Sequence, residues 1–139
     1  MLTTSNEYLQ AVQEINEYVN QAKQRASVSV NSEIMKTNIF IGNVIIRNSE
    51  WGNRFVDNLS KDMKMAFPGA KGYSVRNLKY MKKFAQLFTE DDVDKYGLGR
   101  ITWSHHQILM GKVANQEEYV WYLEKTLEKQ WFFFSLHLS

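Results

Sequence analysis

The sequence has no cysteine, which excludes a disulfide framework, a thiolate metal site and a cysteine nucleophile. That absence fits a reducing cytoplasm, the location expected for the chain. There are only one proline and seven glycines in 139 residues. Strict alternation of apolar and polar residues is almost missing, so the expectation is an all-α domain. Long apolar runs are also lacking. The longest in the N-terminal half, Ile39 to Ile46, is interrupted by Gly42 and Asn43 and is far short of the roughly 20 residues of a membrane helix. The start, M-L-T-T-S-N-E-Y, has neither a basic n-region nor an apolar h-region, so no secretion signal and no membrane association are expected. The length suits a single domain, 1–139, that buries its own core.

Positive charge is unevenly placed. Between Asn53 and Phe88 the basic residues are Arg54, Lys61, Lys64, Lys71, Arg76, Lys79, Lys82 and Lys83, eight against the two acids Asp57 and Asp62. That stretch is +6 in a chain of +2, so the remainder carries −4. Charge concentrated in this way marks a surface for an anionic partner, although a lysine-rich solvated helix face has the same composition.

The same stretch, Trp51 to Phe88, reads as helix, tight turn, helix. Pro68, followed by Gly69 and Gly72, stops the first helix near Phe67. Ser74 is a good N-cap for a second helix, because its hydroxyl can accept from a backbone N–H of the first turn. At 100° per residue Leu78, Met81, Ala85 and Phe88 share one side with Phe84 at its edge, and these five are expected core. Arg76, Lys79 and Lys83 form a stripe opposite, with Tyr80 beside them and Asn77 near the helix start.

Elsewhere, Leu9, Val12, Ile15, Val19, Ala22 and Ala26 recur at three- and four-residue steps, the repeat of a coiled-coil-like seam. The S-V-S-V of Ser27 to Val30 has strand propensity, but its context is helical. Ile39 to Ile46 is apolar almost all round, which implies either a buried central helix or one shared with a second subunit. Gly42 would permit close backbone approach there. Helices are predicted near 6–30, 32–48, 53–67, 74–88, 103–113 and 116–130, with room for a small two-stranded wing between Gly97 and Thr102.

Thr89, Glu90, Asp91, Asp92 and Asp94 are best explained as a capped helix start, where carboxylates meet the positive end of the dipole. His105 and His106 would point about 100° apart on a helix and could not readily chelate one ion together. A packed or hydrogen-bonding role beside Trp103 is expected instead. Asn115 with Glu118 looks like a capping box. No nucleophile, base and stabiliser can be named together, so neither catalysis, a metal, a cofactor nor a small-molecule substrate is expected.

Several ordered phrases resemble the N-terminal domain of the YhcG family, the N-terminal region of domain of unknown function 1016. They are A-K-Q-R-A at Ala22 to Ala26 with Asn31 soon after, I-G at Ile41 and Gly42, W-G at Trp51 and Gly52, and L-S-K-D-M at Leu59 to Met63. There follow F-P-G-A-K-G-Y-S-V-R-N-L at Phe67 to Leu78, M-K-K-F at Met81 to Phe84, W-S-H-H at Trp103 to His106 and W-Y-L-E at Trp121 to Glu124. The resemblance spans about residues 8 to 131. It implies a helix-turn-helix or winged-helix-like, DNA-binding domain that normally precedes a PD-(D/E)xK nuclease. Here the chain ends W-F-F-F-S-L-H-L-S from Trp131, without the serine-arginine phrase and nuclease of relatives. No Glu-x-Lys occurs, and the single Asp-x-Lys, Asp62 to Lys64, lies in a helical pattern.

The expected architecture is therefore all-α, a long N-terminal helix plus a helix-turn-helix or winged-helix-like bundle. Its core would lie near 53–88, with an atypical apolar tail, 132–139, packed on the body or on a partner. The expected function is duplex DNA binding. In that picture Arg76 and Asn77 read bases, and Lys71, Lys79, Lys82 and Lys83 position phosphates. Tyr73, Ser74 and Tyr80 complete the candidate surface. The alternative is a protein-interaction or homodimerisation module, with the basic face meeting an acidic partner and a homodimer forming through the N-terminal helix and the Ile39–Ile46 region.

Overall fold

The computed structural model describes the backbone from Ser5 to Leu138 and the side chains as far as Lys129. Six helices follow in order: α1 (Asn6–Arg47), α2 (Gly52–Ala66), α3 (Val75–Leu87), α4 (Glu90–Lys95), α5 (Trp103–Lys112) and α6 (Gln116–Leu138). Short 3-10 turns lie at Ser49–Trp51 and Leu98–Arg100. Among the described residues there is no strand, and the place expected for a wing is taken by the second of these turns.

The first helix is one element of 42 residues, not two, and is about 63 Å long at 1.5 Å per residue. Ser5 caps it, accepting from the Tyr8 N–H at 3.1 Å. The break expected near residue 31 is absent. Val28 and Val30 cost only a few tenths of a kcal/mol each in helix propensity, and the region is seated on the 3-10 turn. Gly99 lies so close to the Val28 carbonyl that a Cβ there would sit 2.7 Å from the oxygen, and the Asn31 amide donates to the Gly99 carbonyl at 3.1 Å. The helix stops at Asn48, whose side chain donates back to the Val44 carbonyl at 2.8 Å.

After α2, Phe67 to Ala70 closes a turn with the Ala70 N–H on the Phe67 carbonyl at 3.1 Å. Proline stands second and Gly69, at φ 82°, stands third, the residue pattern of a type II turn. Ser74 then caps α3, accepting from the Asn77 N–H at 3.1 Å. The connection from Phe67 to Ser74 is longer than the three- or four-residue turn of a simple helix-turn-helix. Ser60 of α2 holds this loop by donating to the Tyr73 carbonyl at 2.6 Å. The acidic run forms α4 with a complete capping box between Thr89 and Asp92, and the Glu118 N–H donates to Asn115 at 2.9 Å before α6. That last helix continues eight residues past its expected end at 130. The side chains of the 132–139 tail, expected to pack on the body or a partner, lie outside the described residues.

Two apolar clusters meet along α3. The larger joins Met35 and Ile39 of α1 to Phe84, Phe88, Val93, Leu98, Ile101, Leu109, Met110, Val113, Tyr119 and Leu123. The smaller is Ile45, Val56, Leu78 and Met81. The Ile39–Ile46 stretch therefore belongs to a central helix. Ile39 and Ile45 are buried and, of its apolar side chains, only Phe40 is exposed, so packing within the chain accounts for most of its apolar surface. Gly42 is where α1 crosses α3. A Cβ there would stand 2.7 Å from the Ala85 Cβ and inside the envelope of the Met81 carbonyl oxygen.

Candidate nucleic-acid interface

Helix α3 has one side sealed in the core and one open. Leu78, Met81, Phe84 and Phe88 are buried as expected and Ala85 is partly buried. Arg76, Lys79 and Lys83 are exposed, and Tyr80 is half-buried between them. Val75, Arg76, Lys79, Tyr80 and Lys83 line an open groove of about 550 Å³. The Arg76 guanidinium lies 5.6 Å from the Tyr80 ring centroid, a contact that aligns this flexible cation with the helix.

Lys79 and Lys83 also form the wall of a second groove, of about 440 Å³, with Lys82, Gln86, Ser49, Gly52 and Asn53. Asn53 and Gln86 were not foreseen as part of the surface. The start of α2 opens here, and Trp51 at its N-cap position supplies no side-chain acceptor to the first-turn N–H groups. The missing Ser, Thr, Asp or Asn at that position was the available sequence signal. Three ion pairs occur among the described residues, Lys36–Asp94, Arg100–Glu124 and Lys125–Glu128. None uses any of the eight cations between Asn53 and Phe88.

The remaining candidates are distributed differently. Asn77 is turned inward. Its carbonyl oxygen accepts from Trp103 Nε1 and from Gln107 Nε2, both at 2.7 Å, and its amide donates to the Gly72 carbonyl at 2.6 Å. A side chain so engaged ties the loop, α3 and α5 together. Lys71, Tyr73 and Asn77 border a separate pocket of about 380 Å³ with Asn38, Thr37 and Trp103, and the Tyr73 ring leans on Phe67 at 6.0 Å. Ser74 is the α3 cap. Lys83, although exposed, donates to the Met110 carbonyl at 2.6 Å and so anchors α3 to α5 while its charge remains at the surface.

The two histidines have separate environments. His105 is exposed, with Nδ1 2.8 Å from the Thr102 hydroxyl. His106 is fully buried, with Nε2 2.7 Å from the Leu98 carbonyl and Nδ1 2.6 Å from the Tyr119 hydroxyl. Both contacts are satisfied by a neutral ring that donates from Nε2 and accepts at Nδ1. Burial, opposed by the Leu98 bond, lowers its pKa to about 4, and burial raises that of Tyr119. Phe84 packs edge-on to both Trp103 and His106, with centroids 5.1 and 5.0 Å away. The His106 role is packing and hydrogen bonding in the core.

No helix among the described residues is long and apolar enough to cross a membrane. Residues 14–138 of this 139-residue sequence match the family described as DUF1016 N-terminal domain, and no nuclease domain is matched. No curated protein and no solved structure matches the chain.

Proposed function

The chain belongs to the DUF1016 N-terminal domain family, and from that premise and the surface of α3 we propose that it binds duplex DNA with this helix. The observation that carries the proposal is the solvent side of α3, where Arg76, Lys79, Lys82 and Lys83 stand beside two open grooves with no ion-pair partner among the described residues. Cations left without acids in the folded protein are available to displace counterions from phosphates. Arg76, near the start of α3 and aligned by Tyr80, is placed to reach a base edge, while Lys79, Lys82 and Lys83 contact the backbone. Asn77 is assigned a structural part, and Lys71 a peripheral phosphate contact. The assignment is to binding, with no catalytic step.

A fluorescence anisotropy titration with random duplex, single-stranded DNA and RNA at two salt concentrations tests this. Duplex binding should weaken log-linearly with salt, with a slope of about 0.9 per phosphate contact. Salt-independent binding, or none to duplex, would refute it.

A second role, as a protein-interaction module, is favoured by a different observation. The first half of α1 carries an exposed apolar stripe that its own domain leaves uncovered.

A further inference from the structure

Helix α1 has no buried residue before Met35. Asn6 to Ile34 is thus 29 residues, about 44 Å of helix at 1.5 Å per residue, and among the described residues its tight seat on the domain is at Val28 and Ser32, where Gly99 packs against it. Upstream, Tyr8, Ile15 and Val19 are 42%, 61% and 42% exposed. With Val12, Ala22 and Ala26 they alternate steps of four and three, so all six fall on one seam. Most helices in proteins owe their stability to packing of such a face and not to intrinsic propensity. This one has the face without the packing.

We infer that the seam from Tyr8 to Ala26 pairs with the same seam of a second copy, and that the two helices run antiparallel. The inference rests on the protein-interaction role above and deepens it by naming partner and direction. Side-chain size supports a second copy in this direction. Opposed head to tail, the seam forms layers of Tyr8 with Ala26, Val12 with Ala22 and Ile15 with Val19, large residues at one end of each helix meeting small ones of the other. In parallel, Ala22 and Ala26 would each face themselves and leave gaps, while Tyr8 would crowd Tyr8.

Charge supports the same direction. Glu7, Glu14 and Glu17 give residues 6–17 a charge of −3, and Lys23 and Arg25 give residues 18–26 a charge of +2. Antiparallel pairing sets each acidic half over a basic one, whereas parallel pairing stacks like on like. Arg25 already lies over its own Tyr18 ring at 5.8 Å, beside the seam, where it faces the acidic half of the partner helix.

Sedimentation equilibrium of the full chain at tens of micromolar should return twice the 16.4 kDa chain mass. Ile15→Glu, at an exposed position, should return half of that, with far-UV circular dichroism falling by no more than fraying of the unpaired first half of α1 allows and the cooperative unfolding of the rest of the domain retained. The cysteine-free sequence then allows direction to be read by oxidation. Val12→Cys and Ala22→Cys chains, each alone, should form little disulfide, and a mixture of the two should form the cross-linked pair. A monomeric wild type, or a dimer unaffected by Ile15→Glu, would overturn self-association through this seam. Self-linking of each single variant, with a dimer that Ile15→Glu abolishes, would overturn only the antiparallel direction and leave the interaction role standing.

Discussion

Replacing Gly42 by alanine should destabilise the protein, although the same change inside an ordinary helix stabilises it. Glycine in a helix interior costs about 1 kcal/mol relative to alanine, and Gly42 lies well inside α1. Its new Cβ, however, would fall within the envelope of the Met81 carbonyl oxygen and 2.7 Å from both the Met81 carbonyl carbon and the Ala85 Cβ. Two of these atoms are backbone in the middle of α3, fixed by its hydrogen-bond ladder, so no side-chain rotation relieves the clash. The helices must separate by roughly 1 Å, and a gap of 0.5–1 Å already forfeits a quarter to a half of each contact along the seam. Ile39, Ile45, Leu78 and Met81 all line that crossing. Taking about 3 kcal/mol for overpacking against rigid backbone and returning about 1 for helix propensity, the net loss is about 2 kcal/mol. For a chain of this size that lowers Tm by about 7 °C.

Gly111 provides the internal control. It also lies in a helix, α5, but a Cβ there meets nothing within 4 Å. Gly111→Ala should raise stability by about 0.5 kcal/mol, less than the mid-helix value because it lies in the last turn. Urea unfolding followed by far-UV circular dichroism on the two variants and the parent measures both signs. Equal stabilisation by both substitutions would refute the tight crossing of α1 on α3 and with it the placement of the basic helix.

Three further outcomes are expected. Because the pKa of His106 is lowered to about 4 in the fold and lies near 6.5 in the unfolded chain, its neutral form contributes fully above pH 6.5. As pH falls the unfolded chain takes up the proton first, and about 3 kcal/mol is lost by pH 4; urea midpoints across this range should fall less steeply in His106→Gln. Asn77→Ala should cost about 1–3 kcal/mol by leaving the Trp103 N–H and the Gly72 carbonyl without their partner, and a thermal melt unchanged from the parent would return Asn77 to the binding surface. The Arg76→Ala, Lys79→Ala and Lys82→Ala triple variant should keep its Tm and lose about 0.9 of salt slope per contact removed, whereas Lys83→Ala should also lose stability, because its ammonium holds the Met110 carbonyl; an unchanged slope in the triple variant would mark the stripe as solvated charge.

What could be foreseen from the sequence was whatever is decided within one helical turn. The Pro68–Gly69 turn, the Ser74 cap and the buried side of α3 depend on residues three or four positions apart, and each stands where local chemistry put it. The acidic run showed its cap, although six residues were too few to show a helical period for α4. Less visible was anything decided across the fold. The helical state of the S-V-S-V segment was foreseen, but its unbroken continuation through residue 31 was not, because there the helix is seated on Gly99, some 70 residues away. From the sequence Asn77 was expected to read a base, and its bonds to Trp103 and Gln107, 26 and 30 positions downstream, could not be seen there.

The same distinction bears on the basic face. A stripe of cations can be found by period alone, but which of them are free to bind depends on what the neighbouring helices require of them. Helix α5 draws in Asn77 through Trp103 and Gln107 and steadies Lys83 through the Met110 carbonyl. Arg76, Lys79 and Lys82 carry no such bond to another helix among those described, and they border the two grooves. The packing of α5 thus separates Asn77 and the inner edge of α3, which fasten the bundle, from its outer edge, Arg76 included, which on the proposed function is left to a ligand. On this division, variants along α3 should sort into two groups. Those at Asn77 and Leu78 should lose stability first, with binding falling only as the folded fraction falls. Those at Arg76, Lys79 and Lys82 should lose binding at constant stability. Measuring both quantities on the same set of single alanine variants would expose any residue that moves the two together, and such coupling at Arg76 or Lys79 would contradict the proposed division.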